Sequence, residues 1–135
     1  MDQFDKDGGL KSTDLSDYLG EDRKYVLMLV KGPDDSVMRV LRTGESSRLH
    51  LDIVDAFKAS LPSGWSVARV CGGGKIVCFW NGEVVFGGSS TTYGHISPED
   101  AKAMHELMKT VHQNPHVFHL PETLMEMVIE RLQQQ

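Results

Sequence analysis

A chain of 135 residues, 40% hydrophobic and 24% charged, has the make-up of one globular domain with a single core. Its formal net charge of −5 excludes a general nucleic-acid binder, so any anion site must be built locally from a few placed cations. No apolar run approaches the roughly 18 residues of a membrane span, the acidic N-terminus does not read as a signal peptide, and Cys71 and Cys78 make neither a disulfide framework nor a metal knuckle. The expectation is a cytoplasmic protein with two buried thiols, off the membrane and free of nucleic acid.

Residues Met1–Gly20 are polar, rich in aspartate, and read as a flexible extension. FDKDGG has calcium-loop residues, but its glycine comes too early and no helix precedes it, which argues against an EF-hand. Lys24–Lys31 (KYVLMLVK) is a continuous apolar run between cations, as expected of a central strand buried on both faces. Gly32-Pro33-Asp34-Asp35 turns the chain. Val37–Arg42 then alternates as the returning strand, which lets Lys24 and Arg42 approach each other on neighbouring strands.

The stretch RTGESSRLHLD follows. Ser46 and Ser47 are helix N-cap types, and Leu49, Ile53, Ala56 and Phe57 recur at helical spacing to give one apolar stripe. His50 falls in or near the first turn, beside that stripe. Partial burial and the positive end of a helix both favour a neutral imidazole, able to act as a base or nucleophile near pH 7. A purely structural histidine is the plainer alternative.

This helix runs to about Ser60, where Leu61-Pro62-Ser63-Gly64 ends it. Trp65–Cys71 is strand-like, Gly72-Gly73-Gly74 interrupts, Lys75–Trp80 resumes, and Asn81-Gly82 marks a hairpin returning through Glu83–Phe86. Three glycines let a bound group approach the main chain, although a bulge between strands also accounts for them. Gly87–Gly94 (GGSSTTYG) places consecutive hydroxyls between glycines, a loop able to wrap a phosphoryl group or simply to connect. Ser97 is the N-cap of a second helix, with Pro98 at its first position and Ala101, Met104, Leu107, Met108 and Val111 on its apolar side. Asn114-Pro115 breaks it, His116–Leu120 is a last short strand, and Pro121–Leu132 is an amphipathic helix with Leu124, Met127, Val128 and Leu132 on one side. His112, His116 and His119 do not make a metal site, because Pro115 breaks their register and no cysteine or fourth ligand stands nearby.

Four segments in register carry a resemblance. KYVLMLV, R-x7-HLDI, CGGGKI and VVFGGSSTTYG look like the phosphohistidine phosphatase family, which includes the sex-regulated janus proteins. The family's patterns are a KYVLI-type strand, R-x7-H-A-D-I, C-x-GGG-R-I and a YSxAYG-type loop. The resemblance covers about Arg23–Leu120, leaving a domain at 21–120, an extension at 1–20 and an additional C-terminal helix at 121–135.

The resemblance implies an α/β (α+β) fold, a mixed sheet of about six strands with helices on both faces. It implies removal of phosphate from phosphohistidine in proteins, without a metal or other cofactor. The essential histidine falls on His50, the substrate-binding cations on Lys24, Arg42 and Lys75, and the phosphate-holding contributions on Ser90, Thr92 and the backbone N–H of Leu51. Lys75 stands where the family has arginine, which keeps charge but loses a bidentate fork. Thr92 stands where it has alanine, adding bulk near the phosphate. Partners would be phosphohistidine-containing proteins, with phosphate as product, and a monomer is the default. One rival is a non-catalytic phosphoprotein-binding module using the same pocket. Another is a scaffold whose C-terminal helix is the working surface.

Overall fold

The computed structural model describes residues 12–13, 15–112 and 117–133. The KYVLMLVK run forms the centre of β1, Glu21–Lys31, flanked by β2, Val37–Glu45, and β3, Ser66–Cys78. Strands β4, Val84–Gly87, and β5, Val117–Leu120, complete a five-stranded sheet in the order β2-β1-β3-β4-β5. Neighbours are antiparallel except β4 and β5, which run parallel.

Successive residues of β1 face opposite sides of the sheet, and both sides are covered. Val26, Met28 and Val30 pack with Val40 against Ile53, Val54 and Phe57 of α1, His50–Ser60. On the opposite face Tyr25 and Leu27 pack with Ile76 and Phe86 against Met104 and Met108 of α2, Pro98–His112. The last helix, α3, Glu122–Gln133, lies on the α1 face, with Met125, Ile129 and Leu132 over Val77 and Val85. The fold is thus a mixed α+β sandwich with helices on both faces. None of the helices is long and apolar enough to cross a membrane, among the described residues.

The sheet has five strands where about six were expected, because Gly72–Gly74 does not interrupt the ladder. Strand β3 runs through the glycines as one element, and a register shift against β1 between Leu27 and Met28 absorbs the irregularity. A Cβ at Gly72, whose φ is +145°, would meet the backbone of His95 and Ile96 at 2.9 Å. The triplet stays in register with Leu27, Val26 and Tyr25, the bulge falls at Cys71, and around the glycines main chain is packed closely against main chain.

Helix α1 also starts later than the serines suggest. Ser46 and Ser47 lie in a turn after β2, and Leu49 holds the N-cap position with no side-chain cap bond. Its carbonyl accepts from the N–H groups of Asp52 and Ile53 at 3.1 and 3.3 Å. The buried stripe is Ile53, Val54 and Phe57, whereas Leu49 and Ala56 face solvent. Gly44 of β2 leaves room for this seating, since a Cβ there would come within 2.9 Å of Ile53.

At α2 Ser97 caps the helix as expected. Ser97 Oγ accepts from the Asp100 N–H and donates to Asp100 Oδ2, each at 3.0 Å. Asp100 is almost fully buried and its Oδ1 accepts from Arg39 Nε at 3.1 Å, which ties the helix to β2. In α3 the expected apolar side mostly faces outward: Leu124 and Met127 are exposed, and the sheet receives Met125 and Ile129 with Leu132. The helix carries two apolar stripes, and the one spaced i, i+4, i+7 fits the sheet.

Residues 1–11, including FDKDGG, lie outside the described residues. The described part of the extension is docked on the sheet. Thr13 N–H donates to the Leu41 carbonyl at 2.9 Å, and Leu15, in a short 3-10 helix at Leu15–Tyr18, is 1% exposed. Both cysteines are free and buried, as expected.

Candidate active site

Strand register gathers the cations. Lys24 pairs with Lys75 across β1–β3, and two positions on, Val26 pairs with Gly73 and with Arg42 of β2. Residues directly opposite, and residues two apart, share a face. Lys24, Lys75, Arg42 and Gly73 therefore all project toward the side covered by α1. Lys24 and Lys75 are like charges facing one another across a ladder, an unfavourable pairing in the absence of an anion. Neither has an ion-pair partner among the described residues.

His50, the first residue of α1, lies against this strand pair. Its Nε2 is 2.9 Å from the carbonyl oxygen of Gly74. A carbonyl can only accept, so in the neutral ring Nε2 carries the proton and donates, leaving the lone pair on Nδ1. The approach requires glycine: a Cβ at Gly73 would sit 2.9 Å from His50 Cδ2, 2.7 Å from the Tyr25 carbonyl oxygen and 3.3 Å from Ser90 Cβ. Burial pushes the His50 pKa below its ordinary 6.5; the Gly74 hydrogen bond opposes this, and the fields of Lys24 and Lys75 add to the lowering. The imidazole is therefore neutral at pH 7, with one ring nitrogen held and the other available.

The loop from Gly87 to Gly94 closes the third side. Ser90 and Gly94 exchange backbone hydrogen bonds of 3.1 and 2.8 Å, and the Gly94 carbonyl also accepts from the Gly73 N–H at 3.1 Å. Ser90 Oγ accepts from the Tyr93 N–H at 3.2 Å and is buried beside Gly73. Its hydroxyl thus shapes the loop next to His50. Thr92 is exposed in the turn and joins none of these contacts among the described residues. Lys75 is exposed, and Lys24 is half-buried. The N–H groups of His50 and Leu51 belong to the first turn of α1 and lack intrahelical acceptors, as at every helix start. Arg42 shares the face but not the spot: its guanidinium carbon lies 5.5 Å from the ring centre of Phe57, two turns along α1 from His50.

Three contributors were not singled out from sequence. They are the Gly74 carbonyl, which fixes the tautomer; Gly73, which makes room for the ring; and Tyr93, which packs against the α1-side core. The glycine triplet was the available signal. It does admit a close approach to the main chain, and the approaching group is the protein's own His50.

A separate cleft of about 410 Å³ opens beyond the same loop, lined by Gly88, Ser89, His95 and His119 among others, without His50. His119 stacks on Phe86 with ring centres 4.8 Å apart, a packing role for one of the three C-terminal histidines. His116 and the side chain of His112 lie outside the described residues. Among the described residues no three His, Cys, Asp or Glu side chains come together in a way that would hold a metal ion.

Chemically, the arrangement among the described residues is a neutral imidazole with a free Nδ1 beside two unpaired lysines and a helix N-terminus. Such a site binds an anion next to a base or nucleophile. No curated protein matches the chain. The model of the Janus/Ocnus family matches residues 18–114, spanning β1 to β4, α1 and all of α2. This corrects the family resemblance: the janus part stands, whereas membership of a phosphohistidine phosphatase family does not follow from the match. The chain belongs to the Janus/Ocnus family.

Proposed function

We propose that this protein hydrolyses the P–N bond of phosphohistidine in proteins, releasing phosphate without the help of a metal; phospholysine is a second candidate substrate. One observation carries the reading: a neutral His50 is held by Gly74 beside Lys24 and Lys75, which face each other unpaired across the ladder. A phosphoryl group between the lysines relieves their repulsion and is brought next to Nδ1. Phosphoryl transfer is mainly positioning plus charge stabilisation, which is what these groups supply.

The substrate's P–N bond breaks readily once its imidazole is protonated, so the leaving group departs as neutral imidazole with its proton on nitrogen. His50 Nδ1 either takes a proton from the attacking water or attacks phosphorus itself, forming a phosphoenzyme that water then hydrolyses. Lys24 and Lys75 neutralise the phosphoryl oxygens in either route. The cytoplasm as the working compartment and a monomeric state accompany the proposal.

The test is hydrolysis of a phosphohistidine peptide with EDTA present. The wild-type protein should turn the peptide over, and His50→Ala should lower the rate by about 100-fold or more. Activity within a few-fold of wild type would refute the role of His50. Binding of the peptide without turnover by either protein would favour the phosphoprotein-binding module.

A further inference from the structure

Leu49 and Leu51 are the two chain neighbours of His50, and Leu49 departs from what a helix start normally requires. A leucine at the N-cap gives up the side-chain acceptor that Ser, Thr, Asp or Asn would offer to the first-turn N–H groups, and Leu49 makes no such bond. Nor does it join the core: Leu49 is 60% exposed and Leu51 42%, while Ile53, Val54 and Phe57 do the packing. Two large apolar side chains thus stand in solvent where a polar one would stabilise the helix. Departures of this kind concentrate at functional positions.

Their placement says what they serve. Leu51 is turned by about 100° from His50 around the helix, and Leu49 precedes His50 on extended backbone, so the two leucines flank His50 along the chain. The mouth of the site has two characters, cationic on the sheet side at Lys24 and Lys75 and apolar on the helix side. A free phosphoramidate uses only the cationic side. A polypeptide also presents the residues next to its phosphorylated imidazole, and the apolar side can cover one of them.

We infer that Leu49 and Leu51 form an apolar rim that selects phosphohistidine within a polypeptide, next to an apolar side chain, over the free phosphoramidate. This rests on the phosphatase reading above. The variant that tests it is Leu49→Ser, which supplies a favourable cap and so leaves the helix at least as stable; a thermal melt at or above the wild-type midpoint verifies this. Turnover is measured on two substrates, a phosphohistidine peptide with leucine on both sides of the histidine, and inorganic phosphoramidate. In Leu49→Ser the ratio of kcat/KM for peptide over phosphoramidate should fall about tenfold, the scale of one apolar contact, chiefly through KM. An unchanged ratio, with phosphoramidate still hydrolysed, would overturn the rim and leave the phosphatase reading standing. Failure of the wild-type protein to hydrolyse either substrate would overturn the phosphatase reading, and the rim with it.

Discussion

Helices α1 and α3 are nearly equal in length, 11 and 12 residues, and lie on the same face of the sheet, yet they meet it differently. Helix α3 sets Met125, Ile129 and Leu132 over Val77 and Val85, an apolar contact that ends in nothing chemical. Helix α1 makes a similar contact through Ile53, Val54 and Phe57 but begins on His50, whose ring lies against Gly73 and bonds the Gly74 carbonyl. The lesson is about what lies beneath each helix. Where the strand offers side chains, a helix packs; where it offers bare backbone, a polar group at the helix end can be held at a fixed angle and partly dried. The family match ends at residue 114, so α1 lies within it and α3 beyond it.

The comparison can be broken by substitution. The largest effect is expected from Ile129→Ala in α3, which should cost about 3 kcal/mol of stability in a urea titration while leaving turnover per folded molecule unchanged. A loss of turnover in the folded fraction would show that α3 also serves the chemistry. Next comes Gly73→Ala, whose methyl group must displace the His50 ring or the Tyr25 backbone. Turnover should fall about 100-fold, as for a misplacement of about 1 Å; near-normal kinetics would mean that the ring's seat is not needed. The smallest effect belongs to Met127→Ala, on the outward stripe of α3 and 62% exposed, which should shift stability by less than about 0.5 kcal/mol.

Much of this was legible in the chain. The buried central strand, the Ser97-Pro98 helix start and the Asn81-Gly82 hairpin each rest on local chemistry, and each appears. His50 at the start of its helix was also legible, because the apolar stripe that follows it is strong. The rest depended on tertiary context. A strand can run through three glycines when a neighbour, here β1, pairs with each of them, so six expected strands became five. The serines at 46 and 47 are good caps, but the seating of Ile53 over Gly44 sets where α1 begins. In α3 two apolar stripes compete, and only the sheet decides between Met125 and Met127. The pairing of Lys24 with Lys75 needed strand register, whereas the sequence reading of Lys24 and Arg42 on neighbouring strands agrees with their diagonal positions on one face of β1 and β2.

The central claim is that His50 is neutral near pH 7, with its proton on Nε2 and its lone pair on Nδ1. The most direct measurement is an NMR titration of the imidazole nitrogens in protein labelled with nitrogen-15 at histidine, with His50→Ala used for assignment. Because burial lowers the His50 pKa, the ring should stay neutral as pH falls through 6.5 and protonate only below it, and at neutral pH the proton should be on Nε2. Turnover should decline over the same acidic interval, since protonation removes the lone pair. A midpoint above 6.5, or a neutral ring protonated on Nδ1, would contradict the account.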